Sequence, residues 1–362
     1  MEKRLLEIFL ELVKIEAPSA SEKKIANYLI GFLEKLGLEP AEDSTSDISG
    51  GDSGNVVCRI GTGGNYVMLS HMDTARSTKH LMPQVLSDRI TSDGTTILGA
   101  DNRAGIAALI YSLEKLIKEK IPLKDFTLAF TTQEETTLNG SQNLSLDDNV
   151  KMGFVFDSHL KPGNFICESA GSKGFKITVK GKASHSGLAP ENGIDSIKIA
   201  AVAISKIKLG KIDADTTANI GMINGGTATN VVPEFTTLHG EIRSTIPSKI
   251  DAKLSEIKDE FMKAAELYKG VCEFESFWNF RPYSISPENE TYRTIEKVIS
   301  RAGLKPVPKV SKGGSDANSL NAKGISTVNL GIGAENPHAN DEYILFEDLR
   351  KTADIATELM KK

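Results

Sequence analysis

What constrains this chain most is where its acidic and histidine residues fall relative to its apolar runs. Four short runs read as buried strands: Tyr66 to Leu69, Phe126 to Phe130, Phe154 to Phe156 and Ile325 to Leu330. At or just after their ends come His71-Met72-Asp73, Glu134-Glu135, Asp157 and, further on, His338. Asp101-Asn102 is a partial exception, lying between the short run Ile97-Leu98 and a helix. In an open α/β sheet, the carboxyl ends of the strands are where ligands and catalytic groups gather. Any one of these residues alone would read as a turn residue or a helix cap. Their recurrence after successive strands points to a site. Two imidazoles with several carboxylates suit zinc or a similar divalent ion, and there are enough of them for two ions.

At 362 residues the chain exceeds what one hydrophobic core usually supports, so two domains are expected. Its 40% hydrophobic and 25% charged residues are those of an ordinary soluble protein. A net charge of -5 gives no reason to expect nucleic acid or an anionic membrane as partner. The N-terminal stretch from Met1 is an amphipathic helix start interrupted by acids, without the apolar core of a signal peptide. No apolar run has membrane-spanning length. Cys58, Cys167 and Cys272 are odd in number and lack paired spacing, so they read as reduced core thiols in a cytoplasmic protein.

Leu5 to Ile15 has helical spacing, and a second helix follows Pro18, with Ser19-x-x-Glu22 as a capping pattern and Gly37 as its stop. Asp43 to Gly54 reads as a loop or hairpin tip. From Asn55 to Glu135 strands alternate with a helix over Arg103 to Lys118, which argues a mixed, largely parallel α/β sheet. Composition changes near Ser169. Phe175, Ile177 and Val179 alternate as one face of a strand, followed by a helix over Gly193 to Ile207. Strands at Ala218 to Ile223 and Phe235 to Ser244 come next, then a helix from Lys249 to Tyr268 and a strand from Val271 to Phe280. That order is the split βαβ arrangement of a ferredoxin-like domain. After Arg281 the first pattern returns, so the expected division is 1–170 with 281–362, and 171–280 as an insertion.

His71 and Asp73 are two apart, so an extended backbone sends both side chains to one side. Asp73 can then accept the second ring N–H of a metal-binding His71. Asp101 could bridge two ions. Glu134 and Glu135 point in different directions, so one can hold metal while the other faces an activated water as general base. Asp157 and His338 could complete the two shells.

The segments Leu69-Ser-His-Met-Asp-Thr74, Leu98-Gly-Ala-Asp-Asn-Arg-Ala-Gly105, Thr132-Gln-Glu-Glu135, Phe156-Asp157, Gly313-Gly-Ser-Asp316 and Pro337-His338 resemble the M20 family of dinuclear zinc exopeptidases, and within it the peptidase T branch. The resemblance covers nearly the whole chain. It implies an α/β catalytic domain with a mixed, largely parallel sheet and an inserted ferredoxin-like α+β lid or dimerisation domain. It also implies two divalent ions per chain, zinc first, with cobalt or manganese as alternatives. His71 and Asp157 would hold one ion, Glu135 and His338 the other, with Asp101 bridging. Asp73 would orient His71, and Glu134 would be the base that turns a water between the ions into the attacking hydroxide. A cis peptide is implied at Asp101-Asn102. Asn102 and Arg103 stand where many relatives have Asp-Lys.

In the lid, His185 matches a histidine that stabilises the tetrahedral oxygen, commonly in the neighbouring subunit's site. Asn230 and Arg243 resemble substrate-binding positions, Arg243 by gripping a carboxylate with its fork of donors. Gly313, Gly314 and Ser315 could present backbone N–H groups to the substrate. The expected function is hydrolysis of short peptides by a homodimer joined through the inserted domain. The alternatives are an amidohydrolase of N-acyl amino acids and, more remotely, a non-catalytic peptide or amino-acid binder.

Overall fold

The computed structural model describes residues 2–362, the side chain of Thr137 aside; Met1, where the expected first helix begins, lies outside the described residues. The chain divides into two compact units. The first contains the residues up to Glu168, Ser284–Ser311 and Ser315–Lys362; the second contains Ser169–Tyr283 with Lys312–Gly314.

The first unit is built on a sheet whose four central strands run parallel, in the order Phe126–Thr131, Tyr66–His71, Met152–Ser158, Ser326–Gly331. Every residue of the first two is buried. Strands covered on both faces read as unbroken apolar runs, which is why they were visible in the sequence. Val56–Ile60 and Asn164–Ser169 add to the flanks antiparallel. Because the central four are parallel, their carboxyl ends share one edge. Leu69 pairs with Val155 and His71 with Thr131, so His71, Glu134 and Asp157 emerge at one level.

The helix Ala100–Lys118 lies over this sheet, buried at most positions from Asn102 to Leu116. Gly105 is its point of closest approach: a Cβ there would stand 2.3 Å from the Phe156 carbonyl oxygen. Regular helix begins at Arg103, where the sequence placed it. Asp101 and Asn102 have non-helical backbone angles, and the peptide between them is cis.

The capping pattern at Ser19 does not form. The second helix is Lys23–Lys35, its N-cap is Glu22, and no side chain caps it. Instead the Ser19 hydroxyl donates to Asp73 Oδ2 at 2.6 Å, and Glu22 accepts backbone N–H groups from Ala20 and Gln133. Gly37, at φ +80°, does end the helix, with the Leu38 N–H returning to Leu33. Asp43 to Gly54 holds a short helix, Thr45–Ser49, between two antiparallel strands.

The second unit is an antiparallel sheet in the order Gly210–Lys211, Thr217–Gly225, Phe235–Ser244, Gly171–Lys180, Val271–Phe280. Its helices are Ser196–Ser205 and Pro247–Leu267. Asp195 caps the first through the Lys198 N–H, and Pro247 opens the second at a position that needs no donor. Phe175, Ile177, Val179, Leu238 and Ile242 pack with Ile199, Ile257 and Phe261 as the core. The order is ferredoxin-like. Within it Gly171–Lys180 is an interior strand, hydrogen-bonded on both sides, and Val271–Phe280 lies at an edge. Among the described residues no helix is long and apolar enough to cross a membrane.

Candidate metal centre

His71 ends its strand fully inside the protein, 1% exposed. Its Nδ1 faces the Asp73 carbonyl at 3.1 Å and the Asp73 carboxylate at 3.3 Å. Asp73 in turn accepts the Glu134 N–H on Oδ1 at 3.0 Å and the Glu135 N–H on Oδ2 at 3.1 Å. One buried carboxylate thereby orients the imidazole and fixes the turn that carries both glutamates.

The other ring nitrogen, His71 Nε2, stands 3.1 Å from Asp101 Oδ1 and 3.1 Å from Asp157 Oδ1. On the far side of Asp101, Oδ2 lies 3.5 Å from His338 Nε2, which is itself 3.0 Å from Glu135 Oε1. The two oxygens of Asp101 are thus divided between two clusters, each with one imidazole and one further carboxylate. A four-coordinate ion with bonds of about 2.0–2.1 Å has neighbouring donor atoms roughly 3.3 Å apart. The spacings here have that size, and oxygen and imidazole donors suit zinc and its neighbours. His71, Asp101 and Glu135 offer ligand atoms that all lie within 4.8 Å of one another. The residues fit divalent ions.

The electrostatics agree. Burial opposes ionisation of Asp101, but hydrogen bonds from His338 and His71 outweigh it and hold the carboxyl below its usual range. The Asp101 and Glu135 carboxylates push His338 up to about 10. Burial, then the Asp157 charge, raises Glu134 well above an ordinary glutamate. The cluster concentrates negative potential, which is what draws a cation.

Several supports were not visible in the sequence. Asn102 Nδ2 donates to the Phe156 carbonyl and to Asp157 Oδ1, at 2.7 and 3.1 Å, and Asn329 Nδ2 donates to Asp157 Oδ2 at 3.3 Å. Arg76 donates to the His338 carbonyl at 2.7 Å and to Asn340, steadying a loop in which His338 has φ +66°. Arg103, fully buried, donates to the Met72 carbonyl, between His71 and Asp73, and to Ile15. Asp316, 1% exposed, accepts from the Thr131 hydroxyl, and burial pushes its carboxyl up to about 6.

His185, Asn230, Arg243, Gly313 and Gly314 belong to the second unit. His185 is exposed, and its segment runs beside that of Asn230, the Ser186 N–H donating to the Asn230 carbonyl at 3.0 Å. His185 Nδ1 accepts the Gly187 N–H at 3.2 Å, which leaves the ring proton on Nε2. Arg243 is paired with Glu241 at 2.9 Å and lies over the Phe280 ring. Gly314 packs on the same ring, where a Cβ would come within 2.6 Å, and the Gly313 carbonyl accepts from Ser169. Ser315 is the N-cap of Asp316–Ala322, and its N–H is taken by Asn318 Oδ1 at 3.0 Å, so it has a capping role in place of the one expected.

Residues 167–269 match the peptidase dimerisation domain family, and 87–201 match the M42 glutamyl aminopeptidase family. The chain is 36% identical to the uncharacterised Bacillus subtilis protein YqjE, over 100% of this chain and 98% of that one. It superposes on the aminopeptidase PepT of Bacillus cereus with a TM-score of 0.89 at 33% identity, covering 99% of this chain and 98% of that one. With a Staphylococcus aureus tripeptidase the TM-score is 0.92 at 32% identity, covering 100% and 98%. The chain belongs to the M20 family of peptidases, hydrolases of peptide bonds. Within that family its likeness is to the peptidase T members.

Proposed function

We propose that this protein is a metal-dependent exopeptidase of short peptides, an aminopeptidase of the peptidase T kind. The observation that carries the reading is the divided Asp101 carboxylate, with His71 at 3.1 Å from one oxygen and His338 at 3.5 Å from the other. In this reading His71 and Asp157 would hold one divalent ion and Glu135 and His338 the other, with Asp101 shared between them. Zinc is the first choice, cobalt or manganese the alternatives. Bound there, the ions would polarise the scissile carbonyl and bring a water's pKa toward neutrality. Asp73 keeps His71 in the ligating tautomer. Glu134 takes the water's proton and passes it to the leaving amine; its raised pKa suits a group that must carry a proton between those steps.

His185 donates from Nε2 to the oxygen of the tetrahedral intermediate. Asn230, Arg243 and the Gly313–Gly314 turn bind the substrate, and Ser315 drops out of that set because its N–H is engaged. The second unit serves as lid and dimerisation domain, and His185 acts across the dimer interface. The family match over 167–269 supports this assembly, as do Met222 and Ile223, 58% and 52% exposed on the strand Thr217–Gly225. The free thiols Cys58, Cys167 and Cys272 fit a cytoplasmic address.

The test is Glu134→Ala, assayed on a panel of di- and tripeptides beside N-acetyl and N-succinyl amino acids. The wild type should cleave the peptides, and the variant should lose turnover while keeping its divalent-ion content. Hydrolysis by the metal-replete variant would remove Glu134 from the mechanism. Activity confined to N-acyl substrates would replace the peptidase reading with an amidohydrolase.

A further inference from the structure

Glu342 lies four residues beyond His338 and is 0% exposed. Its side chain hydrogen-bonds to backbone N–H groups. Oε2 accepts the Gly99 N–H at 2.7 Å, and Oε1 accepts the Asp101 N–H at 3.0 Å. Its own backbone is tied in as well: its N–H donates to the Ala339 carbonyl at 3.1 Å, and its carbonyl accepts the Ser92 N–H at 3.1 Å. One residue therefore joins the loop that carries His338 to the segment that carries Asp101. The stretch it grips needs a bracket. Asp101 and Asn102 have non-helical angles at the start of the helix, where a backbone N–H has no intrahelical partner. His338 likewise stands in a turn, with Asn336 and His338 both at positive φ.

We infer that Glu342 is a positioning residue for the metal centre, holding Asp101 and His338 at the separation that lets both reach one ion. It touches neither substrate nor ion. Both of its oxygens are used, each on a backbone N–H, and a carboxylate is the one side chain of this length that can accept on both ends at once. Glutamine would accept at one N–H and oppose the other with an NH2 group. Aspartate keeps the charge but, being one carbon shorter, cannot reach both N–H groups from the same backbone. Outer partners of this kind commonly set metal affinity by about 10–100-fold.

The inference rests on the proposed metal site, and its test separates the two. Zinc binding to the metal-free wild type, Glu342→Gln and Glu342→Asp is measured by competition with a chromophoric chelator, with no substrate present. Thermal unfolding of each protein is followed with and without zinc. Wild-type protein that binds no zinc overturns the metal site and this inference with it. If the wild type binds, Glu342→Gln should bind about 10–100-fold more weakly, with Glu342→Asp between the two. A ligand's stabilisation reports its affinity even in a weakened protein, so the zinc-induced rise in Tm should shrink in Glu342→Gln. An unchanged affinity and an unchanged rise in Tm, whatever the Tm of the metal-free variant, would make Glu342 a residue of the fold alone and overturn the inference.

Discussion

Glu22→Gln separates two effects that a buried carboxylate combines. Glu22 is 0% exposed, and its Oε1 accepts both the Ala20 N–H at 3.0 Å and the Gln133 N–H at 2.9 Å. Oε2 has no hydrogen-bond partner. Burial, and after it the charge on Asp73, push the carboxyl from 4.5 up to about 7. A carboxyl raised by folding is bound to its proton more tightly in the folded chain than in the unfolded one, so stability is lost as pH rises from 4.5 toward 7. At about 1.4 kcal/mol per pH unit, the whole loss amounts to ~3 kcal/mol, of which about 2–3 falls between pH 5 and 8. Glutamine keeps both N–H bonds on its carbonyl oxygen and cannot ionise. Its NH2 takes the place of Oε2 as a buried donor, at a cost of about 1–3 kcal/mol that does not vary with pH. The variant should therefore be the less stable protein at pH 5 and the equal or better of the two at pH 8. Urea unfolding of both metal-free proteins across that range, at unchanged m-value, reads the difference. Far-UV circular dichroism is the right probe, because the single tryptophan, Trp278, is in the second unit. A stability difference that stays constant from pH 5 to 8 would refute the reasoning, since Glu22 would then ionise alike in both states.

Arg103→Met should cost about 3–5 kcal/mol, because a fully buried cation beside Asp73, Glu22 and Glu342 would be removed and the carboxylates left without it. Arg103→Lys should recover only part of that, as it offers one nitrogen where the guanidinium places two, one on the Met72 and one on the Ile15 carbonyl; a loss below about 1 kcal/mol in Arg103→Met would show the carboxylates to be neutral already. For assembly, inactive Glu134→Ala mixed with inactive His185→Ala should regain activity, because a hybrid dimer has one site with both groups intact. No recovery after proven subunit exchange would put His185 in its own chain's site or outside catalysis.

Of the seven residues that meet at the strand ends, all but Asp101 were legible because they follow buried parallel strands, whose apolar runs announce both the strand and its end. The bounds of Phe235–Ser244 and Val271–Phe280 could also be read directly. The failures share a cause. Phe175, Ile177 and Val179 alternate in the sequence, and alternation says that one face is buried. It does not distinguish an interior strand from an edge, because that difference lies in backbone hydrogen bonds that leave no mark on side-chain periodicity. Ser19 and Glu22 have the spacing of a capping box, yet their partners are Asp73 and Gln133, far along the chain.

Glu22, Asp73 and Glu342 carry this furthest. Each is a buried acid that accepts backbone N–H groups from segments bearing candidate ligands: Gln133 for Glu22, Glu134 and Glu135 for Asp73, Asp101 for Glu342. Every residue but proline offers such an N–H, so the partner has no identity in the sequence. The acid itself, as in Asn340-Asp341-Glu342, is indistinguishable from a solvated turn. The ligands of such a site can be read from residue type and spacing, because the chemistry demands particular side chains. Asp73 was legible through its His71 partner, but the N–H groups that Glu22, Asp73 and Glu342 hold belong to the one part of the chain that every sequence shares, and these contacts become visible only when the fold is.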